Sequence, residues 1–456
     1  MATIAAICTA PGMAAIGVIR LSGPKSISIL IELFQSRKKI SHFETQRAYV
    51  GKLMDLGTLL DEVVVTLFRA PHSYTGEDIV EVSCHGGRRI LEKTLQSFLR
   101  RGVRMADPGE FTQRAFVHGK MDLLQAEAVE DLIRAESDLA LEAAQQLLQG
   151  KLSAWVETLK RQLIHVISGF EAEIEFPDEH DVTENLHKII APRVKQIEEI
   201  AALIQNLSDS FEQGILMREG FTVAIFGSPN TGKSTLLNHL LGFDRSIVSS
   251  EPGTTRDYIR EKMFIHGLPV TLIDMAGIRA NPNQIEQIGI ERCKQLLQNA
   301  SLALFMMDGS RPLQSDDHLA FESCPSGIPK LWVLNKMDLP IQISKDHPLL
   351  NDKPLFPISA LQGTGMDPLI QRIRKILESH VVPEKTELVL THLRHKNSLL
   401  RCHALLKKVT AEAGHLGLEL TVYDLRQALR ELQILTGEVT VDDIMNHIFA
   451  TFCIGK

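Results

Sequence analysis

The sequence is poor in the features that announce a special environment. Its six cysteines (Cys8, Cys84, Cys293, Cys324, Cys402 and Cys453) are scattered over 456 residues. None has metal-ligand spacing and they outline no disulfide framework, so the expected setting is a reducing compartment, the cytoplasm. Aromatic residues make up only 5% of the chain, so no stretch reads as a base-stacking platform. There is no basic excess either. The formal net charge is -7, and any nucleic-acid contact must be local or shared with another protein. No apolar run approaches the length that crosses a bilayer, and no membrane association is expected. The apolar start is short, alternating and without a basic lead, so it does not read as a secretory signal. Internal repeats and low-complexity linkers are absent. What is present is ordinary for a globular protein, 44% hydrophobic and 23% charged, with length for about three domains.

The most informative segment is Gly227-Ser-Pro-Asn-Thr-Gly-Lys-Ser234. It lies between a strand-like run, Phe221 to Phe226, and a helix-like one, Leu236 to Leu241. Strand, glycine-rich turn and helix form the setting in which backbone N–H groups and a helix N-terminus face phosphates. Lys233 would reach the outer phosphates and Ser234 would hold Mg2+. Asn230, Thr231, Gly232 and Thr235 complete this loop.

ATP or GTP would satisfy the loop alone. Asn335-Lys-Met-Asp338, after the strand-like Leu331 to Leu334, favours guanine. A carboxylate at Asp338 accepts from the ring N–H and the exocyclic amine together, a donor pair that adenine lacks. Asn335 would tie this loop to the phosphate loop, beside Lys336, and Ser359-Ala360 would close the base pocket. Asp274-Met-Ala-Gly277 supplies a carboxylate for the Mg2+ shell and a Gly277 N–H for the γ-phosphate. Thr255, within Gly253-Thr-Thr-Arg-Asp257, would be a second Mg2+ ligand. Many regulatory GTPases place a glutamine after the DxxG glycine to orient water. This chain has Ile278 there, and Glu286, Arg279 and Arg256 remain open as alternatives.

Residues 1–118 mix strand patterns (Val63 to Phe68, Ile79 to Val82) with a helix at Leu91 to Leu99, an α+β pattern. Met121 to Glu175 has helical spacing with a break at Gly150, a second helical run covers about Asp181 to Glu212, and Phe176-Pro177 sits between them as a turn. From Gly220, five strand-like segments alternate with helices, a doubly wound α/β unit ending near Leu377. Helical character returns from Thr386. The simplest reading is one helical domain split by an inserted nucleotide-binding domain, with two independent helical domains as the alternative.

The chain resembles the TrmE-type bacterial tRNA modification GTPases that act on wobble uridine. The marks are Ile19-Arg-Leu-Ser-Gly23, Thr75-Gly-Glu-Asp-Ile-Val-Glu81, His85-Gly-Gly87, Pro108-Gly-Glu-Phe111, Gly253 to Asp257 and the terminal Phe452-Cys-Ile-Gly-Lys456. The resemblance covers the whole chain. It implies a multidomain fold: an α+β folate-binding and dimerising domain (1–118), an all-α domain in two parts (119–216 and 379–456) and an inserted Ras-like P-loop α/β GTPase domain (217–378). It implies potassium-dependent GTP hydrolysis, with GTPase domains meeting across a homodimer. It also implies an FAD-dependent partner and tRNA. The product would be a carboxymethylaminomethyl or aminomethyl group at C5 of wobble uridine, with its one-carbon unit from 5,10-methylenetetrahydrofolate or a related folate.

By resemblance, K+ falls to Asn230, Ser249, Glu251 and Thr254, and the catalytic glutamate is Glu286. Pro252 constrains Glu251 in a way that bears on K+ affinity. Folate contacts fall to Arg20, Glu81, Lys120 and Lys456, where a carboxylate grips the guanidine-like pterin edge and a cation meets the glutamate tail. Cys453 matches a cysteine implicated in modification. The GTPase motifs alone also fit an RNA-assembly switch or a GTP-binding scaffold; neither explains the Phe452 to Lys456 ending.

Overall fold

The computed structural model describes residues 2–36, 43–175, 184–243, 259–275, 297, 300–325, 327–343, 347, 350, 353–379, 388–412, 417–439 and 442–456. They fall into two compact units. One holds residues 1–133, 144–205 and 397–456; the other holds 134–143 and 206–396.

The first unit begins with a seven-stranded sheet. Its strands are β1 (Ile4–Ile7), β2 (Ile16–Ser22), β3 (Phe34–Ser36), β4 (Ala48–Asp55), β5 (Thr58–Phe68), β6 (Ile79–His85) and β7 (Arg104–Met105), in the order β3-β4-β5-β6-β2-β1-β7. All neighbours are antiparallel except β1 and β7. The two-residue period sorts the side chains. Ile19 and Leu21 of β2 and Val80 and Val82 of β6 pack against Leu30, Leu33, Leu91, Leu95 and Phe98 of the helices Ser26–Leu33 and Arg88–Leu99. The opposite parity, which includes Arg20 and Glu81, faces the other way.

The helical run expected from residue 121 breaks at Gly150, as expected, and at one further point. It runs as Leu123–Arg134, Asp138–Leu148 and Lys151–Glu175. The break at Gly150 has φ +77°. The other break has its own signal in Ser137, whose Oγ accepts the Ala140 N–H at 3.1 Å, a helix-starting cap. The second helical run likewise divides, into Glu184–Asp209 and Phe211–Glu219; Phe176-Pro177 lies outside the described residues. The later helices are Leu393–Glu412, Leu418–Thr436 and Asp442–Ala450. Leu418–Thr436 packs along Lys151–Glu175. Arg426 pairs with Glu171 at 2.6 Å, and the buried Lys160 meets both Glu157 and Glu438. Helical segments on either side of the nucleotide motif therefore share one packed layer.

The second unit carries a six-stranded sheet: β8 (Phe221–Gly227), β9 (Ile259–Ile265), β10 (Leu268–Asp274), β11 (Leu302–Asp308), β12 (Lys330–Asn335) and β13 (Leu355–Pro357), ordered β13-β12-β11-β8-β10-β9. Five strands were expected; the sixth is β9. It pairs antiparallel with β10 across a His266-Gly267 turn in which both φ are positive, 51° and 84°. Its sequence, IREKMFI, carries three consecutive charges, Arg260-Glu261-Lys262, as an edge strand can, and lacks the longer apolar runs of the sheet's parallel strands. The central strands are buried on both faces. Val223 and Ile225 join one core with Leu304 and Met306, while Ala224 and Phe226 join the other with Phe305 and Met307. Chain entry and exit lie side by side. Leu390 N–H donates to Ser210 Oγ at 3.1 Å, and Arg218 donates to the Thr391 carbonyl at 3.0 Å. A Cβ at Gly214 would stand 2.1 Å from the Leu390 carbonyl oxygen.

Candidate functional site

The phosphate loop leaves β8 and enters the helix Lys233–Phe243. Its curl needs three positive φ values: 150° at Gly227, 61° at Asn230 and 94° at Gly232. A Cβ at Gly227 would meet the Met306 carbonyl oxygen at 2.4 Å, and one at Gly232 would meet Asn335 Nδ2 at 2.3 Å. Close backbone approach is thus required on both sides. Lys233 is buried, with Nζ donating to the carbonyls of Ser228 (2.9 Å) and Gly227 (3.2 Å). Burial lowers its pKa, partly opposed by the Asp274 charge. The bent loop thus presents carbonyls to the ammonium, and a phosphate offers the same group a stronger, charged acceptor.

Ser234 Oγ donates to Asp274 Oδ2 at 2.5 Å. The phosphate-loop hydroxyl and the β10 carboxylate are thus brought together. Such a pair of hard oxygen donors fits Mg2+.

The Asn335–Asp338 loop is joined to the Gly227–Ser234 loop by Asn335. This buried side chain donates through Nδ2 to the Thr231 carbonyl at 2.8 Å and accepts the Ala360 N–H at Oδ1, 2.9 Å away. Ser359 Oγ donates to Asp338 Oδ1 at 2.6 Å, fixing one oxygen of the exposed carboxylate. Lys336 has φ 65° and donates to Asp308 at 2.6 Å. Burial of Asp308 opposes its ionisation, but Lys336 and Ser310 outweigh this and hold its carboxyl below the ordinary range. Thr235 lies exposed in the first turn of the helix Lys233–Phe243. Ser249, Glu251, Thr254, Thr255, Gly277 and Glu286 lie outside the described residues.

A second constellation sits in the N-terminal sheet. The β2–β6 register sets Arg20 opposite Glu81, and the guanidinium reaches Glu81 Oε1 at 2.8 and 2.9 Å. It also stands 5.5 Å from the Tyr74 ring centre and 5.6 Å from that of Phe111, cation–π contacts of about 0.5–2 kcal/mol each. The register therefore makes Arg20 the orienting partner of Glu81. The chain end reaches the same place. Phe111 N–H donates to the Lys456 carbonyl at 3.2 Å, and Cys8 Sγ donates to that of Gly455 at 3.2 Å. Burial raises the Cys8 thiol pKa; Arg20, Glu81 and Lys456 are the charges that act on it. Arg20, Glu81 and Lys456 are thereby gathered. Lys120 makes a different contact, from Nζ to the Pro71 carbonyl at 3.0 Å. Cys453 is exposed, and its carbonyl accepts the Lys456 N–H at 3.3 Å.

Beneath this site lies a network that the sequence motifs did not reveal. Buried Arg114 donates to Glu77 and Glu110, each at 2.8 Å, and Glu77 accepts from Ser22 at 2.7 Å. A Cβ at Gly109 would stand 2.7 Å from the Phe449 carbonyl oxygen. The Pro108 to Phe111 turn is therefore a seat for the C-terminal helix.

A model of the MnmE helical domain matches residues 123–453, and a model described as the N-terminus of the GTP-binding protein TrmE matches residues 3–120. The tRNA modification GTPase MnmE of Alkaliphilus metalliredigens is 39% identical over 461 residues, spanning 100% of this chain and 99% of that protein. The chain belongs to the MnmE family. The MnmE proteins of Thermotoga petrophila and Enterococcus faecalis are similar at 39% and 37% identity, each across 100% of this chain and covering 100% and 98% of those proteins. Among solved structures, Aquifex aeolicus Era bound to GDP and aluminium fluoride is 31% identical over 41% of this chain and 66% of that one, with a TM-score of 0.28. So low a score bears no weight. Among the described residues, no helix is long and apolar enough to cross a membrane and no group of three or more His, Cys, Asp or Glu is placed to hold a metal.

Proposed function

We propose that this MnmE-family GTPase binds GTP at the Gly227–Ser234 loop, reads guanine with Asp338, and uses hydrolysis to drive modification of tRNA at C5 of the wobble uridine. The observation that carries this reading is the Asn335 bridge, which joins a phosphate-binding loop to a guanine-reading loop through two hydrogen bonds. Ser234, with Asp274 beside it and Thr255 as a further ligand, would hold Mg2+, which supplies charge neutralisation between the β- and γ-phosphates. Asn230, Ser249, Glu251 and Thr254 would hold K+, fixing positive charge at the β–γ bridge in place of an arginine. Gly277 would sense the γ-phosphate, and Glu286 would orient the attacking water that Ile278 cannot.

The N-terminal constellation is the folate site in this reading. Glu81, held by Arg20, would accept the paired donors of a pterin, and Lys456 or Lys120 would meet the anionic tail. The protein would work in the cytoplasm as a homodimer, with an FAD-dependent partner. The group installed would be carboxymethylaminomethyl or aminomethyl. Cys453, exposed beside the chain end, is assigned to the modification step rather than to GTP hydrolysis.

Steady-state GTP hydrolysis in K+ and in Na+ tests the reading. Turnover should be at least about tenfold faster in K+, and Glu286→Ala should bind GTP normally while losing most turnover. Equal rates in the two salts would remove K+ from the mechanism, and normal turnover in Glu286→Ala would remove that residue.

A further inference from the structure

The phosphate loop has a second anchor besides Asn335. Ser228 is buried, and its hydroxyl donates to Asp317 Oδ1 while accepting from Arg311 at 3.0 Å. Arg311 grips the same carboxylate with both terminal nitrogens, at 2.8 and 3.3 Å. Asp317 is 1% exposed and also accepts the Gln314 N–H at 2.9 Å, as part of the capping box of the helix Ser315–Glu322. Arg311 Nε in turn stands 3.8 Å from Asp308, the carboxylate that holds Lys336 of the guanine-reading loop.

We infer that Arg311 and Asp317 are positioning residues for GTP, clamping the phosphate loop through the Ser228 hydroxyl. The reason lies in what else Ser228 does. Its carbonyl accepts from Lys233 Nζ at 2.9 Å and from Thr231 Oγ1 at 3.0 Å, and Thr231 is where Asn335 attaches. Holding Ser228 therefore fixes the start of the loop, while Asn335 fixes it at Thr231. A planar guanidinium locked on a buried, helix-capping carboxylate is a rigid support. A loop held rigid at both points loses less freedom when nucleotide binds. Neither Arg311 nor Asp317 need touch the nucleotide, so the effect falls more on binding than on the chemical step.

This inference rests on the guanine-nucleotide reading above. The experiment measures GDP and GTP affinity, GDP dissociation rate and K+-supported GTP turnover in the full chain. Ser228→Ala deletes one oxygen and leaves the Arg311–Asp317 pair and the helix cap in place. It should raise both dissociation constants and KM about tenfold, the equivalent of one charge-assisted hydrogen bond, with the larger share of the loss in kcat/KM falling on KM. Arg311→Lys keeps the charge but loses the fork and should show a smaller shift in the same direction, about threefold. Affinities within twofold of wild type in Ser228→Ala, in a protein with an unchanged circular dichroism spectrum, would overturn the inference. A fall in kcat at unchanged affinity would also overturn it, by placing the cluster in the chemistry. Failure of the wild type itself to bind guanine nucleotides would instead overturn the nucleotide reading, and this inference with it.

Discussion

The nucleotide site and the N-terminal constellation are built in opposite ways. The first is written as short linear motifs. Eight consecutive residues make the phosphate loop, and the further described pieces, Asp274, Asn335 and Ser359, sit at the carboxyl ends of parallel strands, where ligands bind in open α/β sheets. The second is assembled by register and by the chain end. Arg20 meets Glu81 because β2 pairs with β6, and Lys456 arrives because the Asp442–Ala450 helix is seated on Gly109. A linear motif carries its chemistry with it. A registered site depends on the sheet being right before any residue has a role.

That contrast can be pressed hardest at Gly232. An alanine there must adopt φ 94° and place its Cβ 2.3 Å from Asn335 Nδ2. Gly232→Ala should weaken GDP binding by about 100-fold or more through expulsion of Asn335, while folate binding stays at the wild-type level. Equilibrium titration with each ligand checks both halves, and a loss of folate binding would show that the sites are not independently built. Asp338→Asn should follow, with guanine affinity down by about 10- to 100-fold and a new preference for xanthine nucleotides, measured by competition. In the other region, Glu81→Gln should weaken folate binding by about tenfold and leave GDP affinity untouched in the same titrations.

The smallest effect concerns acid. Burial of Glu110 opposes its ionisation, but the Asp107 N–H, Arg104 and Arg114 outweigh this and lower its pKa. A carboxylate depressed in the folded state contributes stability above its ordinary value and loses it as pH falls toward the folded one. Wild type should therefore lose melting temperature faster below about pH 4.5 than Glu110→Gln does. Parallel acid limbs in the two proteins would contradict the assignment.

The sequence made the nucleotide chemistry legible because glycine-rich turns, Asn335 and Asp338 carry their geometry in their spacing. It hid β9, whose run of three charges, Arg260 to Lys262, suits an edge strand and departs from the apolar runs of the parallel strands. It also hid the Ser228–Asp317–Arg311 cluster. Ser228 and Asp317 are 89 residues apart, and no local pattern tells where a buried serine hydroxyl points. The Ser137 cap leaves no break in the helical spacing, which continues on both sides of it. For the N-terminal site, family motifs marked the residues, but only the strand register shows that Arg20 and Glu81 form a pair.

Nucleoside analysis of tRNA from cells lacking this chain is the most direct test of the account. It predicts wobble uridines without a carboxymethylaminomethyl or aminomethyl group at C5, restored by the wild-type chain and not by Asp338→Asn. Fully modified wobble uridine in the deletion cells would contradict it.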